Sequence, residues 1–414
     1  MNIAIVGGGV SGMLAAYLLH PEHQITVFEA NDYIGGHIHT VPVRCDDRTY
    51  NVDTGFIVFN DWTYPHFTNL LHQLGVASQP SPMSFSVRCE RTGIEYNGTT
   101  LNTLFAQRRN LFRLSFHRMW RDILRFNRTA KALLHDSDSI ATLDDYLTTH
   151  GYSREFIEHY LLPMGASIWS AGPQQIRQFP IQSFVRFFHN HGMLTINRRP
   201  QWRTITNGSQ QYAAALTRSY RERIRLNCPI RDVTRHGAHV TIRPRHGEPE
   251  RFDVAIMAVH SDQALALLTD ATPEEREVLG AITYQENEVV LHTDESVLPR
   301  HSLAWAGWNY YIPRDASARV IVTYNMNILQ NLRAPRTFCV TLNRTNAIDP
   351  SKIIRRLTYH HPVYTQAAIA AQQRYDSVSG VNRTYFCGAY WGYGFHEDGV
   401  NSALEVCKHF GKSL

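Results

Sequence analysis

The sequence predicts an α/β fold in which a parallel sheet is combined with an α+β region built from insertions. Three features in order predict it: a short apolar strand at residues 2–6, a glycine-rich turn at residues 7–12, and a helix followed by a second strand at residues 24–29. Together they form a complete βαβ unit. The chain has 414 residues, of which 43% are hydrophobic and 19% charged, so it can bury two sizeable cores and is not a disordered chain.

The turn after the first strand is typical of dinucleotide binding. Gly7 permits a tight turn, Gly9 lets the backbone approach a pyrophosphate, and Gly12 lets the next helix pack closely on the strand. Free N–H groups at the helix N-terminus, where Ser11 lies, attract phosphate oxygens. Glu29 follows Gly9 by 20 residues, where an acid accepts hydrogen bonds from ribose hydroxyls. We therefore expect a Rossmann-type cofactor domain; the alternative is a glycine-rich turn without a cofactor.

Composition excludes several other classes. The six cysteines form no CxxC pair, so we predict neither a disulfide framework nor a zinc site, and we expect reduced thiols in a cytoplasmic protein. No apolar run approaches ~18 residues, and no basic segment precedes the first strand, so neither a transmembrane helix nor a signal peptide is expected. The net charge is only +5 and no nucleic-acid motif is present, which argues against nucleic acid as a partner.

A second glycine pair extends the predicted cofactor site. Gly35 and Gly36 lie a few residues beyond Glu29, where the backbone must approach another part of an extended cofactor. The pair resembles the extended motif of flavoproteins of the amine oxidase and phytoene desaturase type, which implies FAD as the cofactor. Arg usually follows the pair in those proteins, whereas His37 follows here, with His39 two residues on. We expect these histidines at the cofactor phosphate or ring; a covalent histidyl–flavin bond stays open.

The C-terminal segment agrees with this resemblance. In such flavoproteins the last strand ends at a glycine near the pyrophosphate, which is Gly388 here, and the last helix points its N-terminus at the flavin. We predict that helix from Val400 to about Phe410, with Gly399 and Val400 at the cofactor. The family usually has an acid after the strand-ending glycine, whereas Ala389 follows here.

Longer stretches carry a closer resemblance. They are residues 51–60, 63–65, 83–87, 104–107, 258–264 and 394–399. Taken in order, they are similar to a bacterial family of FAD-dependent oxidoreductases related to amine oxidases. A similar domain is fused to the N-terminus of plant cyclopropane fatty acid synthases, and the bacterial proteins commonly occur beside a cyclopropane synthase-like methyltransferase.

The resemblance spans nearly the whole chain and implies an FAD-dependent enzyme. Its expected substrate is an unsaturated fatty acid or phospholipid, transformed by desaturation or double-bond isomerisation. It also implies cofactor contacts at Gly55 and Phe56, and an adenine contact through the backbone of Val233. For Val233 a plain core valine is the alternative. A cyclopropane synthase-like methyltransferase is an expected partner.

In this architecture each domain is assembled from separated segments. We predict a Rossmann-type FAD-binding domain of the amine oxidase (GR2-like) type at residues 1–75, 200–275 and 376–414, and an α+β substrate domain at residues 76–199 and 276–375. The predicted helices of the substrate domain are 104–135, 141–150, 153–170 and 181–191, and its predicted strands are 286–292, 303–312 and 319–325.

The candidate catalytic residues lie beside the predicted flavin end of the cofactor. His396 or Glu397 could serve as a base or proton relay, and Tyr393 is a third candidate. The alternative is that Glu397 and Asp398 only cap the last helix. No spacing of His189 and His191 indicates a metal site, and none is predicted.

Two aromatic clusters are candidate walls of a substrate site. Trp391 stands in the cluster near the cofactor, while Tyr310 and Tyr324 lie on predicted substrate-domain strands. Aromatic walls suit an acyl tunnel, or a cage for a cationic amine. For the cluster that contains Tyr310, packing in a core is the alternative.

A basic stretch at residues 104–134 is a candidate membrane contact. It holds seven arginines and one lysine against a single acid, Asp122. The residues that fall on one helical face are Arg118, Arg121, Arg125 and Arg128. Such a helix can lie on an anionic membrane, which would place the protein at the inner face of the cytoplasmic membrane. The alternative is a helix packed on the core with a solvated basic face.

One absence bears on the reaction. Many flavin amine oxidases hold a lysine, through water, at the flavin, and residues 276–350 contain none. This argues against ordinary oxygen-coupled amine oxidation. A flavin amine oxidase acting on a small amine, a flavin-binding accessory partner of a lipid methyltransferase and a carotenoid-type desaturase are the alternatives to an acyl-chain oxidoreductase.

Overall fold

The computed structural model describes residues 1–135, 141–195, 197, 199–315 and 318–414. The strands of this part of the chain are β1 (Asn2–Val6), β2 (Gln24–Phe28), β3 (Thr40–Cys45), β4 (Arg48–Asp53), β5 (Phe59–Asn60), β6 (Ser78–Pro80), β7 (Phe85–Cys89), β8 (Glu95–Asn97), β9 (Trp202–Ile205), β10 (Ile224–Arg225), β11 (Ile230–Arg235), β12 (Val240–Pro244), β13 (Glu250–Phe252), β14 (Val254–Met257), β15 (Tyr284–His292), β16 (Trp308–Ile312), β17 (Val322–Asn325), β18 (Cys339–Leu342), β19 (Ile353–Pro362) and β20 (Thr384–Phe386).

The α-helices of the same part are α1 (Val10–Leu19), α2 (Pro65–Gln73), α3 (Leu101–Leu104), α4 (Leu114–Thr129), α5 (Leu143–Thr149), α6 (Arg154–Phe156), α7 (Leu162–Trp169), α8 (Pro173–Arg177), α9 (Ile181–Asn190), α10 (Gln210–Thr217), α11 (Ser261–Leu267), α12 (Pro273–Gly280), α13 (Met326–Leu329), α14 (Gln366–Gln372), α15 (Tyr375–Val378) and α16 (His396–Lys408). Short 3-10 helices occur at several connections, and a π-helical turn spans Ile157–Leu161.

A five-stranded parallel sheet forms the first layer, in the order β10-β2-β1-β14-β20. Its central strand β1 is buried on both faces, as expected of a strand covered by helices on each side. Helix α1 connects β1 to β2, so the predicted βαβ unit is confirmed. The α1 helix begins at Val10, within the glycine-rich turn that the sequence predicts at residues 7–12. The loops at the carboxyl ends of the parallel strands therefore meet at one edge, where ligands bind in such sheets.

The sequence of residues 224–233 predicts one strand of the cofactor domain, but in the structure this segment forms two strands. β10 joins the parallel sheet, whereas β11 begins a separate antiparallel sheet, β11-β12-β13. Between them Asn227 adopts a φ of 51° and Pro229 follows, which breaks an extended chain. The sequence prediction of one continuous strand was wrong at this point.

A seven-stranded sheet forms the second large layer, in the order β19-β15-β18-β17-β16-β7-β8. The predicted strands at 286–292 and 319–325 correspond to β15 and β17. The predicted strand 303–312 is confirmed only in its second half, β16. Before β16, the Asn309 side chain bonds the backbone of Ala306 at both N–H (2.9 Å) and C=O (2.7 Å), which closes a turn instead of extending the strand.

Helices α4 to α9 cover one face of this sheet and bury an aromatic-rich core. The predicted helices at 153–170 and 181–191 are confirmed as α6 to α7 and α9, with a π-helical turn before Pro163. The predicted helix 104–135 is interrupted: a 3-10 segment at Arg108–Phe112 precedes α4, and another at Ala130–His135 follows it. Within the described residues, no helix is long and apolar enough to cross a membrane.

Each of the two large sheets takes its strands from a different set of chain segments. Strands of the parallel sheet come from the segments predicted for the cofactor domain, and strands of the seven-stranded sheet come from those predicted for the substrate domain. One small sheet, β5-β9-β6, joins strands of both sets. The exact domain boundaries stay a prediction, and segments 76–199 and 276–375 include residues outside the described part.

The last helix begins earlier than predicted. α16 starts at His396 rather than Val400, because the Asp398 carboxylate accepts a hydrogen bond from the Phe395 N–H at 2.9 Å and so caps the first turn. Gly399 and Val400 therefore lie inside the helix rather than at its N-terminus. The helix ends at Lys408, two residues before the predicted end.

Candidate active site

The glycine-rich turn leaves β1 at the carboxyl edge of the parallel sheet. Gly7 has a φ of 106°, and a Cβ there would collide with the carbonyl oxygen of Ala258. A Cβ on Gly12 would collide with the carbonyl oxygen of Gly7, so helix and strand touch as predicted. Gly9 differs, because a Cβ there would have no atom within 4 Å. The backbone of Gly9 thus faces open space, which fits the close approach of a pyrophosphate.

Glu29 ties the glycine turn to the end of β2. Its buried carboxylate accepts one hydrogen bond from the Gly8 N–H through Oε2, at 2.8 Å. Its Oε1 accepts from both the backbone and the side-chain N–H groups of Asn31, each at 2.8 Å. These bonds fix the carboxylate at the edge of the sheet. Its predicted contact with a ribose stays a prediction.

The second glycine pair lies against the first turn. The Gly35 N–H donates to the carbonyl of Gly8 at 2.9 Å. Gly36 has a φ of 59°, and a Cβ there would lie 3.4 Å from the Cα of Gly9. The structure therefore brings the two predicted cofactor motifs together at Gly9, and a side chain on Gly36 would narrow the open space beside it.

Four histidines lie close together in space beside these turns: His37, which follows Gly36 in the chain, and His260, His360 and His361. The ring of His37 lies 5.5 Å from that of His361 and 6.2 Å from that of His260. The Nε2 of His37 is buried and has no hydrogen-bond partner. Burial and the neighbouring histidines lower the pKa of His37 to about 3, of His361 to about 3 and of His260 to about 4, so these rings are uncharged near neutral pH.

Sequence reasoning found His37 but missed the rest of the cluster. His260 stood in a stretch that carried the family resemblance, yet nothing marked it as a site residue. His360 and His361 lie on β19, and their approach depends on tertiary packing. His39, the second predicted histidine, stands apart from the cluster: it stacks on Tyr33, with ring centroids 4.4 Å apart, and bonds the Tyr359 hydroxyl at 3.1 Å.

His37 is also connected to the start of the last helix. Its carbonyl accepts from the Phe56 N–H at 2.8 Å, and a Cβ on Gly55 would collide with the same carbonyl oxygen. The Phe56 ring stacks on His396, with centroids 3.5 Å apart. The Nε2 of His396 lies 2.7 Å from the Tyr212 hydroxyl, and burial lowers its pKa well below the ordinary value. The structure thus gathers four of the predicted site residues in one place.

Glu397 lies in a different environment from the one predicted. Its Oε1 and Oε2 accept hydrogen bonds from the backbone N–H groups of His66 and Phe67, both at 2.9 Å. Glu397 therefore caps the first turn of α2, while Asp398 caps α16. The capping alternative is right for Asp398, but Glu397 caps another helix. Burial raises the pKa of Glu397, and that of Asp398 to about 7. A catalytic role for Glu397 stays a prediction.

Helix α16 packs directly on α1. The Ser11 hydroxyl donates to the carbonyl of Gly399 at 2.8 Å, and a Cβ on Gly399 would lie 2.7 Å from Val10. Val400 is fully buried, and the Gly388 N–H donates to the Ser402 hydroxyl at 2.9 Å. Ser11, Gly399 and Val400 hold the two helices together, and the phosphate or flavin contacts expected for them stay predictions.

The aromatic residues near the cofactor end face two different ways. Tyr393 and Phe395 pack against Phe187 of α9, with ring centroids 5.5 Å and 5.1 Å apart. Trp391 instead contacts Tyr375 edge-on at 4.9 Å and belongs to the core under the parallel sheet. The structure does not place Trp391 on the same wall as Tyr393, because the turn between them reverses the chain.

The remaining predicted residues lie in cores. Tyr310 and Tyr324 are buried on neighbouring strands of the seven-stranded sheet, in the same core as Phe187. Val233 is fully buried on β11, and its carbonyl accepts from the Thr269 N–H at 3.1 Å. This placement matches the alternative of a core valine; the adenine contact stays a prediction.

The residues at this edge fit an extended dinucleotide. The open face of Gly9, the buried Glu29 carboxylate, the unpartnered Nε2 of His37 and the α1 N-terminus all lie at the carboxyl edge of the parallel sheet. A model of the family described as flavin-containing amine oxidoreductase matches residues 10–327. The chain belongs to this family. Its cofactor is accordingly FAD, and its class is that of an oxidoreductase.

Curated relatives of this chain match only parts of their own length. A 1-hydroxycarotenoid 3,4-desaturase from a Flavobacterium species is 39% identical over 71 residues, 17% of this chain and 13% of the relative. A protein from Mycobacterium tuberculosis, provisionally named flavin-containing monoamine oxidase, is 23% identical over 262 residues, 60% of this chain and 55% of the relative. The chain thus spans about half of the second relative and much less of the first.

Solved structures of the same fold match over nearly the whole chain. The CLA-producing fatty acid isomerase from P. acnes has a TM-score of 0.70 at 16% identity, covering 99% of this chain and 98% of that one. Cyclohexylamine oxidase from Brevibacterium oxydans has a TM-score of 0.69 at 14% identity, covering 99% of each chain. At such identities the likeness establishes the shared fold, a FAD-binding Rossmann-like domain with a substrate domain.

Proposed function

We propose that this flavoprotein oxidises or isomerises unsaturated fatty acyl chains. The observation that carries the proposal is the uncharged aromatic wall at the start of α16. Tyr393 and Phe395 are half-buried there, and their rings pack on Phe187, which is buried in the core beside Trp169. An acyl chain needs such a surface, because each of its methylene groups gains free energy on leaving water.

The carboxylates nearest this wall support an apolar substrate. Glu397 and Asp398 are occupied as helix caps, and the pKa of Asp398 is raised to about 7 by burial. Neither offers a free anionic partner for a substrate ammonium group. The sequence also has no lysine between Lys131 and Lys352. Two similar proteins, a fatty acid isomerase and a carotenoid desaturase, are named for apolar substrates, which supports an apolar substrate here.

In this proposal the chain's own residues bind and orient the cofactor and transfer protons. Gly9 and Gly36 leave backbone exposed for the cofactor phosphates, Glu29 orients the ribose, and the buried Nε2 of His37 faces the same region. When bound, FAD supplies a hydride acceptor. We assign the transfer of protons to His396, which is uncharged near neutral pH and is held by a hydrogen bond with the buried Tyr212.

The finer assignments belong to the same proposal. We place the protein with the flavin domains of plant cyclopropane fatty acid synthases and expect a cyclopropane synthase-like methyltransferase as its partner. We expect it to act in the cytoplasm at the inner face of the membrane. The resemblance of residues 51–60 and 394–399 supports these assignments.

Anaerobic reduction of the bound flavin tests the proposal. The FAD-loaded protein is mixed, without oxygen, with vesicles of unsaturated phospholipid, and flavin absorbance and lipid mass are followed. Bleaching with a product two hydrogens lighter supports desaturation, and a shifted double bond without bleaching supports isomerisation. Unchanged lipid, also with the methyltransferase present, contradicts the proposal. Peroxide release from putrescine or cyclohexylamine under air would then identify an amine oxidase, and no turnover of any substrate would indicate an accessory protein.

A further inference from the structure

Four exposed large apolar side chains, among them the three most exposed of the described residues, lie close together in the chain. Leu101, Leu111, Phe112 and Leu114, which we call the apolar tip, expose 77%, 45%, 86% and 82% of their surface. They belong to the connection between β8 and α4, on the outside of the helical layer. Clustered exposed apolar residues of this size mark interaction sites rather than ordinary surface.

Local contacts hold the members of the tip side by side. The His117 ring bonds the carbonyl of Leu111 at 2.8 Å, which folds the 3-10 segment onto the first turn of α4. The Phe105 N–H donates to the carbonyl of Leu101 at 3.1 Å, and the Phe105 ring lies 5.7 Å from that of Phe116. The start of α3 and the start of α4 are therefore anchored to the same core, with their apolar ends outward.

The stretch of chain that carries the apolar tip is strongly basic. Residues 101–121 contain no acid and five arginines, namely Arg108, Arg109, Arg113, Arg118 and Arg121. Arg108 and Arg109 bond neutral acceptors, the Phe105 carbonyl at 2.9 Å and the Gly93 carbonyl at 2.6 Å. Arg118 contacts Glu155 at 3.3 Å, and Arg121 is exposed. The tip thus combines apolar side chains with charge that these bonds leave largely uncompensated.

A basic cavity of about 480 Å³ adjoins the tip. Its charged lining residues are Arg88, Arg108, Arg109, Arg300, His301, Glu90 and Glu95. Arg88 approaches Glu95 at 3.7 Å, and Glu90 is bonded to the Tyr311 hydroxyl. The positive charges of Arg108, Arg109 and Arg300 therefore exceed the negative charge that remains in the cavity. Its size and charge suit a phosphate group, which guanidinium groups bind through paired N–H donors.

The part of the basic stretch that is free to enter a lipid surface differs from the helix predicted for this role from the sequence. The apolar face of α4, with Phe116, Met119, Ile123 and Phe126, is buried in the core and cannot contact a membrane. On its arginine face Arg118, Arg121 and Arg128 are exposed, as the alternative interpretation of the sequence held, whereas Arg125 is half-buried over the Tyr152 ring. The apolar side chains of this stretch that face the outside are those of the apolar tip, at the N-terminal end of α4, and Leu124, which is 50% exposed further along the helix.

We propose that the apolar tip inserts into the surface of an anionic phospholipid bilayer, with its arginines on lipid phosphates and the basic cavity receiving a headgroup. Short exposed apolar segments bordered by arginine bind in this way, through apolar burial and attraction to anionic lipid. The inference goes beyond the proposed reaction, because binding to vesicles is measured without turnover and does not depend on which substrate is transformed.

Co-sedimentation of the full-length FAD-loaded protein with vesicles tests the inference. Vesicles of phosphatidylcholine, with and without phosphatidylglycerol, are compared for the wild type and for Phe112→Ser/Leu114→Ser. We expect binding to the anionic vesicles, weakened by high salt, and a loss of about tenfold or more in the double variant, since two apolar side chains leave the lipid. Phe112→Leu should retain binding, and Val381→Ser, also an exposed apolar position but on the parallel-sheet side, should bind like the wild type.

Other outcomes overturn the inference. The inference is contradicted if the wild-type protein does not bind anionic vesicles. It is also contradicted if the double variant binds them with the affinity of the wild type. Light scattering without lipid identifies the competing occupant: if the protein is a dimer that the double variant converts to a monomer, the tip covers a second copy of the chain instead. Flavin content and melting temperature of each variant show that the fold is retained, so a loss of binding cannot come from unfolding.

Discussion

The ring of His37 lies 5.5 Å from that of His361, although the first follows the glycine pair and the second lies on β19 of the seven-stranded sheet. His260, at the end of β14, completes the contact from the parallel sheet. The junction between the two large sheets is therefore built around imidazole rings that burial keeps uncharged. His360, on the outer side, approaches Glu286 at 3.7 Å.

We expect the stability of the cofactor-free protein to fall as the pH drops from about 6.5 towards 4. The pKa values of His37 and His361 are about 3, and that of His260 about 4, so the unfolded chain binds protons in this range that the folded chain does not. Each ring removes up to about 1.4 kcal/mol per pH unit. Asp53 and Asp398, with pKa values raised to about 6 and about 7, act in the opposite direction.

Urea unfolding at several pH values measures this dependence. His361→Asn should flatten it, because one of the protons taken up on unfolding disappears. His189→Asn, at an exposed position of α9, is the control and should leave the slope as in the wild type. A slope that is the same in His361→Asn and wild type would contradict the assignment to the cluster.

Glu397→Gln is expected to destabilise the protein by about 1–2 kcal/mol, since an amide can accept both N–H bonds of α2 only through its single oxygen. The loss should appear in the melting curve of the cofactor-free protein. Glu405→Gln, on the exposed side of the same helix, should cost much less. If Glu397→Gln removes activity while leaving stability unchanged, the residue is a catalytic base rather than a helix cap.

A buried ion pair in the cofactor domain gives a third prediction. The guanidinium of Arg235 and the carboxylate of Glu275 are both almost fully buried, with Nη2 and Oε2 2.8 Å apart. Glu275→Gln should cost about 1–3 kcal/mol, because the buried guanidinium loses one charged partner but keeps Asp270, whose Oδ1 lies 3.0 Å from the Arg235 Nε. Glu250→Gln breaks the more exposed pair with Arg225 and should cost less than about 1 kcal/mol. Equal losses in the two variants, measured by chemical unfolding, would contradict this account.

Local signals explain why part of this structure could be predicted from sequence. The strand, the glycine turn and α1 are contiguous, so spacing alone identified them. The break between β10 and β11 was missed because it depends on one left-handed residue, Asn227. The sequence could not show that Glu397 caps α2, because its partners, His66 and Phe67, lie far away in the chain. The histidine cluster could not be found either, since it requires β19 to pack beside the glycine pair.

The glycine turn allows a direct test of where the cofactor lies. Gly9→Ala adds a methyl group that meets no protein atom within 4 Å, at a φ of −72° that alanine adopts readily. Stability of the cofactor-free protein should therefore change by less than about 1 kcal/mol. The same methyl group occupies the space in which we place the pyrophosphate. FAD affinity, measured by fluorescence titration of the cofactor-free protein, should fall about tenfold or more.

Variants of two other glycines distinguish an effect on cofactor binding from an effect on folding. Gly12→Ala should destabilise the fold by about 1–3 kcal/mol or more, because its methyl group collides with the Gly7 carbonyl. Gly237→Ala also adds a methyl group to open space, but in an exposed turn outside the glycine motifs, and should change neither stability nor FAD affinity. Wild-type FAD affinity in Gly9→Ala would show that the phosphates do not approach Gly9. The open face of the turn would then serve another ligand, and the cofactor would have to be placed by Glu29 and the histidine cluster alone.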